Sequence, residues 1–540
     1  MPSYKLFRKV GLIGVLTTLS RLLGVVRDSV CAAYFGAGMA WDAFSFAFRV
    51  PNLFRRLFGE GALRAAFIPV LSEYMAKDGR EPARRLAGAV GGALALVLLA
   101  LLLLGETFVL LTPHVADLTP RWRLTLVLTA VLLPYMLFIC LTAFAASVLH
   151  TLKHFTTPAL APVVMNLCWI VAVVVFAPLA SPDPAGRIVV VAGGILVAGI
   201  FQLVLQLAVL RGKGFRWILS LSPRHPGIRR IARSMLPMLA GLAAFQFSVL
   251  LDGVIAITLS APQGTEAFRA WGMRIPYPMT IGANSVLYYG NRLMQFPLGV
   301  FGIALATALF PRLSDRAAEE DWAGFRDSLG EALGGVIFIG LPAGVGLALV
   351  GPALIDLIFE RGEFTAGMGV RTAHVLFAYC TGIWAYCAYH VLTRAHYSAG
   401  NMATPARLAV VGVGVNLGLN LTLIWWMAES GLAAATAATF ICQSLLLYAE
   451  LPSHLKLKDH GVLGATLWKS LVSTGVMSLA VLAVLHVLPP SPTGDPVGVK
   501  ILRVAAPVGA GGLAYLGTAA LLRAELLWFI LRQVKPGGSE

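Results

Sequence analysis

Charge is the first thing this chain has little of. Only 13% of its 540 residues are Asp, Glu, Lys or Arg, while 58% are hydrophobic. A soluble domain carries roughly 25% charged residues, so the deficit excludes a water-soluble globular protein and requires an apolar solvent. Cysteine is sparse: Cys31, Cys140, Cys168, Cys380, Cys387 and Cys442 are scattered through apolar runs without a CxxC pair, so neither a zinc site nor a disulfide framework is indicated. Cys380 and Cys387 share a helix face, which packing explains. The chain has no GxxxxGK[ST] phosphate loop, which argues against ATP as a driving force and for an ion gradient or membrane potential. It has no DxD pair and no intramembrane His–acid constellation, and His150, His374 and His390 are solitary. A membrane glycosyltransferase or phosphotransferase would need such clustered acids for metal or base chemistry.

Long apolar runs are abundant. Val90–Leu104, continuing past Gly105 to Leu111, and Leu467–Leu488 are each long enough to cross a hydrocarbon core of roughly 30 Å. The first run, Val10–Tyr34, follows Lys5, Arg8 and Lys9 in the manner of a signal peptide. It contains Arg21, Arg27 and Asp28 and lacks a small-residue cleavage site, which makes it a retained helix. The pattern predicts an all-α polytopic membrane protein of about fourteen helices: 8–34, 40–75, 86–111, 122–150, 157–178, 187–210, 228–260, 281–311, 325–350, 370–398, 404–427, 430–450, 464–488 and 502–531. Connections on one side hold Lys77, Arg80, Arg84, Arg85, Lys153, Arg211, Lys213, Arg216, Arg224, Arg229, Arg230, Arg233, Arg312, Arg316, Arg326, Lys456 and Lys458. The other side offers mainly Arg121, Arg123, Arg187, Arg269, Arg274, Arg361 and Arg371. This positive-inside bias puts both termini in the cytoplasm. The net charge of +16 then reads as orientation and contact with anionic lipid heads, not as a nucleic-acid surface.

The sequence repeats itself. Ala65-Ala66-Phe67-Ile68-Pro69-Val70-Leu71-Ser72-Glu73 closes the second helix, and Thr307-Ala308-Leu309-Phe310-Pro311-Arg312-Leu313-Ser314-Asp315 closes the eighth, 242 positions on. Arg49 is answered by Arg292, and Thr157-Pro158-Ala159 by Thr404-Pro405-Ala406. The offset spans six helices, an even number, so the halves insert in the same orientation. Parallel repeats of this type carry their substrate path at the repeat interface. The expected organisation is an N-terminal lobe, 1–220, a C-terminal lobe, 221–455, and two additional helices in 456–540.

Charges inside the spans cost roughly 2.5–3.5 kcal/mol each on insertion scales, so they generally face a cavity. On the first helix Thr17, Arg21, Gly24 and Asp28 fall on one face, with Arg27 beside Asp28. On the second, Asp42, Arg49 and Arg56 recur at intervals of seven, with Arg55 adjacent. Arg292 lies in line with Tyr288, Gln295 and Gly299. Single arginines of this kind can snorkel to the interface or pair with Asp28, Asp42 and Glu60. As a set, Arg21, Arg27, Arg49, Arg55, Arg56 and Arg292 outnumber the nearby acids, and planar guanidinium forks suit phosphate oxygens. The inferred ligand is a phosphate-bearing or similarly anionic molecule. Pro51, Gly59, Gly61, Pro297 and Gly299 break helices beside these charges, as a bending gate or as ordinary packing kinks. Asp252, Asn416, Asn420 and Thr436 are hard oxygen donors for a small cation such as Na⁺, or else helix-to-helix hydrogen bonds.

The motifs Ser20-Arg21-Leu22-Leu23-Gly24-Val25-Val26-Arg27-Asp28, Phe35-Gly36-Ala37-Gly38, Asp42-Ala43-Phe44, Arg49-Val50-Pro51-Asn52-Leu53-Phe54-Arg55-Arg56 and Glu60-Gly61-Ala62 form one set. Tyr289 to Arg292, Phe296-Pro297-Leu298-Gly299-Val300 and Pro311-Arg312-Leu313-Ser314 continue it. Together they resemble the MurJ (MviN) lipid II flippases of the multidrug/oligosaccharidyl-lipid/polysaccharide exporter superfamily. The resemblance covers most of the chain, helices one to twelve best. It implies two pseudo-symmetric six-helix lobes around a central cationic cavity, and a lipid-tail groove formed with the last two helices. It implies a monomer in the bacterial inner membrane that is not an enzyme and that carries lipid II, the polyprenyl-pyrophosphate precursor of peptidoglycan, to the outer leaflet by alternating access. Carried over by position, Arg21, Arg27, Arg55 and Arg292 match the family's essential cavity arginines, Asp28 and Asp42 its functional acids, and Asp252, Asn416, Asn420 and Thr436 a sodium site. Glu60 and Gln295 join the acids as gating or charge partners, and no other cofactor is implied. Asn291, Gln295 and Asn420 stand where relatives can carry acids, and the connection Ser260–Ala283 is longer than expected. A drug exporter would need a net acidic cavity, a non-transporting scaffold would have no use for the arginines, and a flippase for another polysaccharide lipid shares the diphosphate chemistry.

Overall fold

The computed structural model describes residues 2–115, 118–215, 220, 225–262, 264–270, 272–299, 303–457, 461–490 and 494–528. Arg216, Arg224, Lys458 and the side chains of Lys5, Arg8, Lys9 and Glu60 lie outside the described residues. The chain packs as two compact units, Met1–Ser285 with Arg361–Phe364, and Val286–Glu360 with Thr365–Glu540.

In the first unit the helices are α1 (Pro2–Phe35), α2 (Met39–Phe54), α3 (Ala62–Lys77), α4 (Arg80–Val115), α5 (Pro120–Thr151), α6 (Thr156–Val171), α7 (Ala177–Ala180), α8 (Pro184–Gly212) and α9 (Pro226–Thr258). Three of them start the same way. Thr119, Asp183 and His225 accept a backbone N–H of the first turn, and Pro120, Pro184 and Pro226 follow, where proline's missing N–H costs nothing. Widened π-helical turns at Arg55–Gly61 and Ala172–Phe176 join α2 to α3 and α6 to α7. α5 packs on α2, α4 and α8, and α9 on α2, α3 and α4.

Contacts distinguish the two ends of this unit. At one, Arg230 Nη1 of α9 lies 2.7 Å from Glu73 Oε2 of α3, beside the basic connections. Lys77 first and Arg230 second hold the Glu73 carboxyl below the ordinary range, so this tie persists on acidification and is lost only as pH falls through that lowered value. At the other, Arg121 Nη2 of α5 donates to Ile257 O (2.6 Å) and Ser260 O (2.7 Å), at the end of α9.

The segment Ser260–Ala283 is the departure from an all-helical chain. β1 (Ala267–Ala270) and β2 (Met273–Pro276) pair antiparallel, with Gly272 at φ 77° in the two-residue turn. Ala261 N donates to Met279 O at 2.8 Å, and the Phe268 and Tyr277 rings stand 5.1 Å apart. The hairpin's tip, Trp271, lies outside the described residues.

α10 (Ala283–Pro297) begins at the end of the first unit and runs into the second. There follow α11 (Ile303–Ala318), α12 (Trp322–Ile358), α13 (Ala366–Cys380), α14 (Ile383–Ser398), α15 (Ala403–Met427), α16 (Glu429–Ala449), α17 (Gly461–Val487) and α18 (Val497–Leu521). The long α12 is the spine, packing against α11, α13, α14, α17 and α18. Its N-terminal end gathers Phe325, Leu329 and Leu333 with Val391, Leu392 and Leu447. Further along, Phe338 and Val350 gather with Met477, Val481 and Tyr515, whose hydroxyl donates to Phe338 O at 2.5 Å. An ionic cluster also joins α18 to α12: Lys500 Nζ is 2.5 Å from Asp356 Oδ1, and Arg503 pairs with Asp495.

Helix occupies most of the described residues in each of the fourteen ranges read from the sequence, with non-helical residues that include 259–260, 281–282, 381–382 and 522–524. Among the described residues nine helices are long and apolar enough to cross a membrane, or ten if α13 and α14, bent by 41°, form one span. The chain is a multi-pass α-helical membrane protein. A π-helical turn interrupts the second predicted helix at Arg55–Gly61, and in the eighth a π-helical turn follows Pro297 at 298–299.

Gly282 has φ 93°, and a Cβ there would collide with the Ala37 carbonyl oxygen. Gly282→Ala is expected to lower stability by about 1–3 kcal/mol, read as an earlier thermal transition of the purified protein in detergent. An unchanged transition would contradict this account of the turn.

Candidate functional site

Asp42, in the first turn of α2, has no exposed surface. A carboxylate in that position must be hydrogen-bonded or neutralised, and the segment that leads into α10 supplies the bonds. Gly282 N donates to Asp42 Oδ2 at 2.8 Å, and Ser285 N and Ser285 Oγ donate to Oδ1 at 2.8 and 2.6 Å. Asn284 Nδ2 adds bonds to Asp42 O (3.0 Å) and Ser45 Oγ (2.7 Å). Arg121 Nη1 lies 3.7 Å from Asp42 Oδ2, close enough for charge attraction. Asp42 thus acts as an N-cap borrowed from another element, and it fixes where the helix bearing Arg292 begins.

Arg27 and Asp28 form the second buried pair. Arg27 Nη2 and Nε reach Asp28 Oδ1 at 2.6 and 3.0 Å, and Nη1 donates to Asn166 Oδ1 of α6 at 2.9 Å. The guanidinium carbon sits 4.4 Å from the centre of the Trp169 ring, a cation–π contact worth about 2 kcal/mol where water is excluded. Asn166 in turn donates to Ser20 O at 3.0 Å, so Arg27 ties α1 to α6. Of the arginines singled out in the sequence, Arg27 is neutralised by the neighbouring Asp28.

The remaining arginines differ in setting. Arg21 stands mid-way along α1, exposed, among exposed Leu19, Leu22, Val25 and Val26. The face Thr17, Arg21, Gly24, Asp28 therefore runs from open at Arg21 to buried at Asp28. Arg49 is half-buried on α2, its Nη1 3.5 Å from Val249 O of α9. Arg55 and Arg56 open the π-helical turn, both half-buried, and Arg55 Nε donates to Asn52 Oδ1 at 2.7 Å. In the second unit α10 buries Tyr289, Gly290, Leu293 and Met294, and the Tyr289 ring lies 4.8 Å from that of Phe359, tilted by 48°. Its other face leaves Arg292, Gln295 and Phe296 exposed, with Gln295 Nε2 donating to Asn291 Oδ1.

The predicted cation ligands separate by unit. Asp252 is half-buried on α9. Asn416 and Asn420 are buried on α15, where Asn420 Nδ2 donates to Asn416 Oδ1 at 3.0 Å. Thr436, on the adjoining α16, donates to Leu432 O at 2.9 Å, which leaves its oxygen lone pairs available as ligands. Among the described residues no group of three or more His, Cys, Asp or Glu is placed to hold a metal ion.

Sequence reasoning missed Asn166, Trp169, Arg121, Asn284 and Ser285. Arg121 was read as a loop charge, although Thr119-Pro120 before it marks a helix start that swings its side chain inward. Asn284 and Ser285 carry no local signal, because their partner lies about 240 residues away.

Asp42→Ala leaves Gly282, Ser285 and Arg121 facing an empty position and is expected to cost about 3–5 kcal/mol. Ser285→Ala removes one bond of several and is expected to cost about 1 kcal/mol. Thermal unfolding of both variants in detergent tests the ranking, and equal losses would contradict it.

Known proteins supply an independent comparison. The profile of the lipid II flippase MurJ family matches residues 31–492. A probable lipid II flippase MurJ from Vibrio cholerae is 32% identical over 83% of this chain and 83% of its own length. The lipid II flippase MurJ of Burkholderia cenocepacia is 30% identical over 83% of this chain and 84% of its own. A solved lipid II flippase MurJ in an inward closed conformation superposes with a TM-score of 0.72 at 22% identity, covering 96% of this chain and 99% of that one, a likeness of fold.

Proposed function

The chain belongs to the lipid II flippase MurJ family, and on that premise we propose that it carries lipid II from the cytoplasmic to the outer leaflet of the bacterial inner membrane by alternating access. It is a transporter and not an enzyme. Both termini lie in the cytoplasm in this reading, the chain works as a monomer, and the duplicated six-helix lobes, 1–220 and 221–455, are the moving bodies. The tail stays in lipid against the two helices of 456–540.

One observation carries the reading. Arg21 is an exposed guanidinium near the middle of a helix whose neighbouring side chains are exposed and apolar. A charge there is costly against hydrocarbon, so that face meets water and an anion. Arg49, Arg55 and Arg56 extend the positive character along α2 and its break, and Arg292 supplies it on the open face of α10. These groups take the diphosphate, while Arg27 holds α1 in place through Asp28, Asn166 and Trp169. Asp28 and Asp42 are the charge partners, with Glu60 beside the α2 break and Gln295 beside Arg292. A ligand shifts the inward–outward equilibrium only by its differential affinity for the two states, so the arginines must engage the diphosphate unequally in those states.

Purified protein in vesicles, assayed for lipid II translocation, tests these roles. Arg21→Ala and Arg292→Ala are each expected to slow translocation roughly ten- to a hundredfold, the range for losing hydrogen bonds to a charged group. Full rates in both variants would overturn the assignment. Na⁺ is the proposed coupling ion, with Asp252, Asn416, Asn420 and Thr436 as its oxygen donors. Replacing Na⁺ by choline in the same vesicles should reduce the rate, and an unchanged rate would remove the ion from the scheme.

A further inference from the structure

The β1–β2 hairpin carries two arginines to which the transport reading gives no role. Its register sets Arg269 directly opposite Arg274, and both side chains are exposed. Tyr277 N donates to Glu266 O at 3.0 Å, which makes Glu266–Tyr277 a hydrogen-bonded pair. By alternation Arg269–Arg274 is then a non-hydrogen-bonded pair, the kind in which Cα atoms approach to about 4.5 Å and side chains lie closest. Like charges in that arrangement repel and weaken the hairpin. Among the described residues no carboxylate pairs with either arginine. Strand alternation places Ala267 and Pro276 on their face, and Glu266 with Phe268, Met273 and Ile275 on the other.

The hairpin's location sharpens the conflict. Its base is held at the end of the first unit where Arg121 binds the α9 terminus and Asp42 binds Gly282 and Ser285, opposite the end with the Glu73–Arg230 tie. This is the end poor in Lys and Arg, where positive charge opposes the orientation bias. Placing two arginines side by side there runs against both local strand physics and topology. A bridging dianion resolves both conflicts.

We propose that Arg269 and Arg274 form a receiving site for the diphosphate of a polyprenyl lipid at the end of the first unit remote from its basic loops. Two guanidinium forks at the closest cross-strand spacing match two linked phosphates, whereas a phosphodiester headgroup brings one charge to a pair that needs two. The proposal rests on the transport reading and adds to it a second contact for the same chemical group, on the outer side of the membrane.

The test uses the full-length protein in phosphatidylcholine nanodiscs with farnesyl diphosphate as the soluble probe. Equilibrium binding is compared for wild type, Arg269→Ala/Arg274→Ala, Arg269→Lys/Arg274→Lys and Arg292→Ala, with thermal unfolding to establish that each variant is folded. Two binding phases are expected in the wild type. The double alanine variant should lose one of them or weaken it roughly tenfold or more. The double lysine variant should fall between, since lysine keeps the charge and loses the fork, and Arg292→Ala should keep the hairpin phase. Wild-type binding in the double alanine variant alongside a loss in Arg292→Ala overturns this site and leaves the transport reading standing. No binding to the wild type overturns both. Reduced co-purification of phosphatidylglycerol with unchanged farnesyl diphosphate affinity overturns the proposal in favour of an ordinary headgroup contact.

Discussion

A carboxylate shut away from water has to be supplied with donors by whatever packs upon it, and Asp42 draws them from segments far apart in the chain. Gly282 and Ser285 come from the lead into α10, and Arg121 from the start of α5. Arg121 in turn grips the last carbonyls of α9. A single buried charge thereby fixes the beginnings of α2, α5 and α10 and the end of α9. The base of the hairpin and the start of the helix that displays Arg292 both depend on it. Because the donors point at a charge and not at an apolar surface, their arrangement is specific: shifting any one of them strands a polar group in a low-dielectric interior.

The arginines divide according to the same rule. Where a guanidinium is buried, as in Arg27, it comes with a carboxylate, an amide and an aromatic face, and its work is to fasten helices. Arg21 and Arg292, by contrast, are exposed along their helices, and these are the groups proposed to meet the diphosphate. Burial therefore distinguishes two arginines of one motif, although Arg21 and Arg27 are only six positions apart. Changes of helix type lie beside the other arginines: α2 widens into a π-helical turn at Arg55, and α10 ends five residues after Arg292.

Much of this was legible from residue order. Hydrophobic runs and helix starts located the helices, with an end off by eight positions at Ile358, because in lipid the backbone has to satisfy itself within each segment. Of the helix breakers read beside the arginines, Gly59 and Gly61 fall at the π-helical turn and Pro297 just before another, whereas Pro51 lies inside α2. The Arg27–Asp28 pair was present in the sequence only as the alternative to a diphosphate-binding Arg27. The identity of Asp42's donors was not legible, since Ser285 and Gly282 are brought to it only by tertiary folding. Trp169 and Asn166 looked like ordinary members of an apolar helix. The hairpin was visible only as unexplained length in Ser260–Ala283, because four-residue strands give too short an alternation to distinguish from loop.

Transport of lipid II between leaflets is the centre of this account, and leaflet-resolved measurement in cells addresses it most directly. Depleting the protein and then labelling lipid II separately on each face of the inner membrane should show the precursor accumulating on the cytoplasmic leaflet and vanishing from the outer one. An unaltered distribution after depletion would contradict the account.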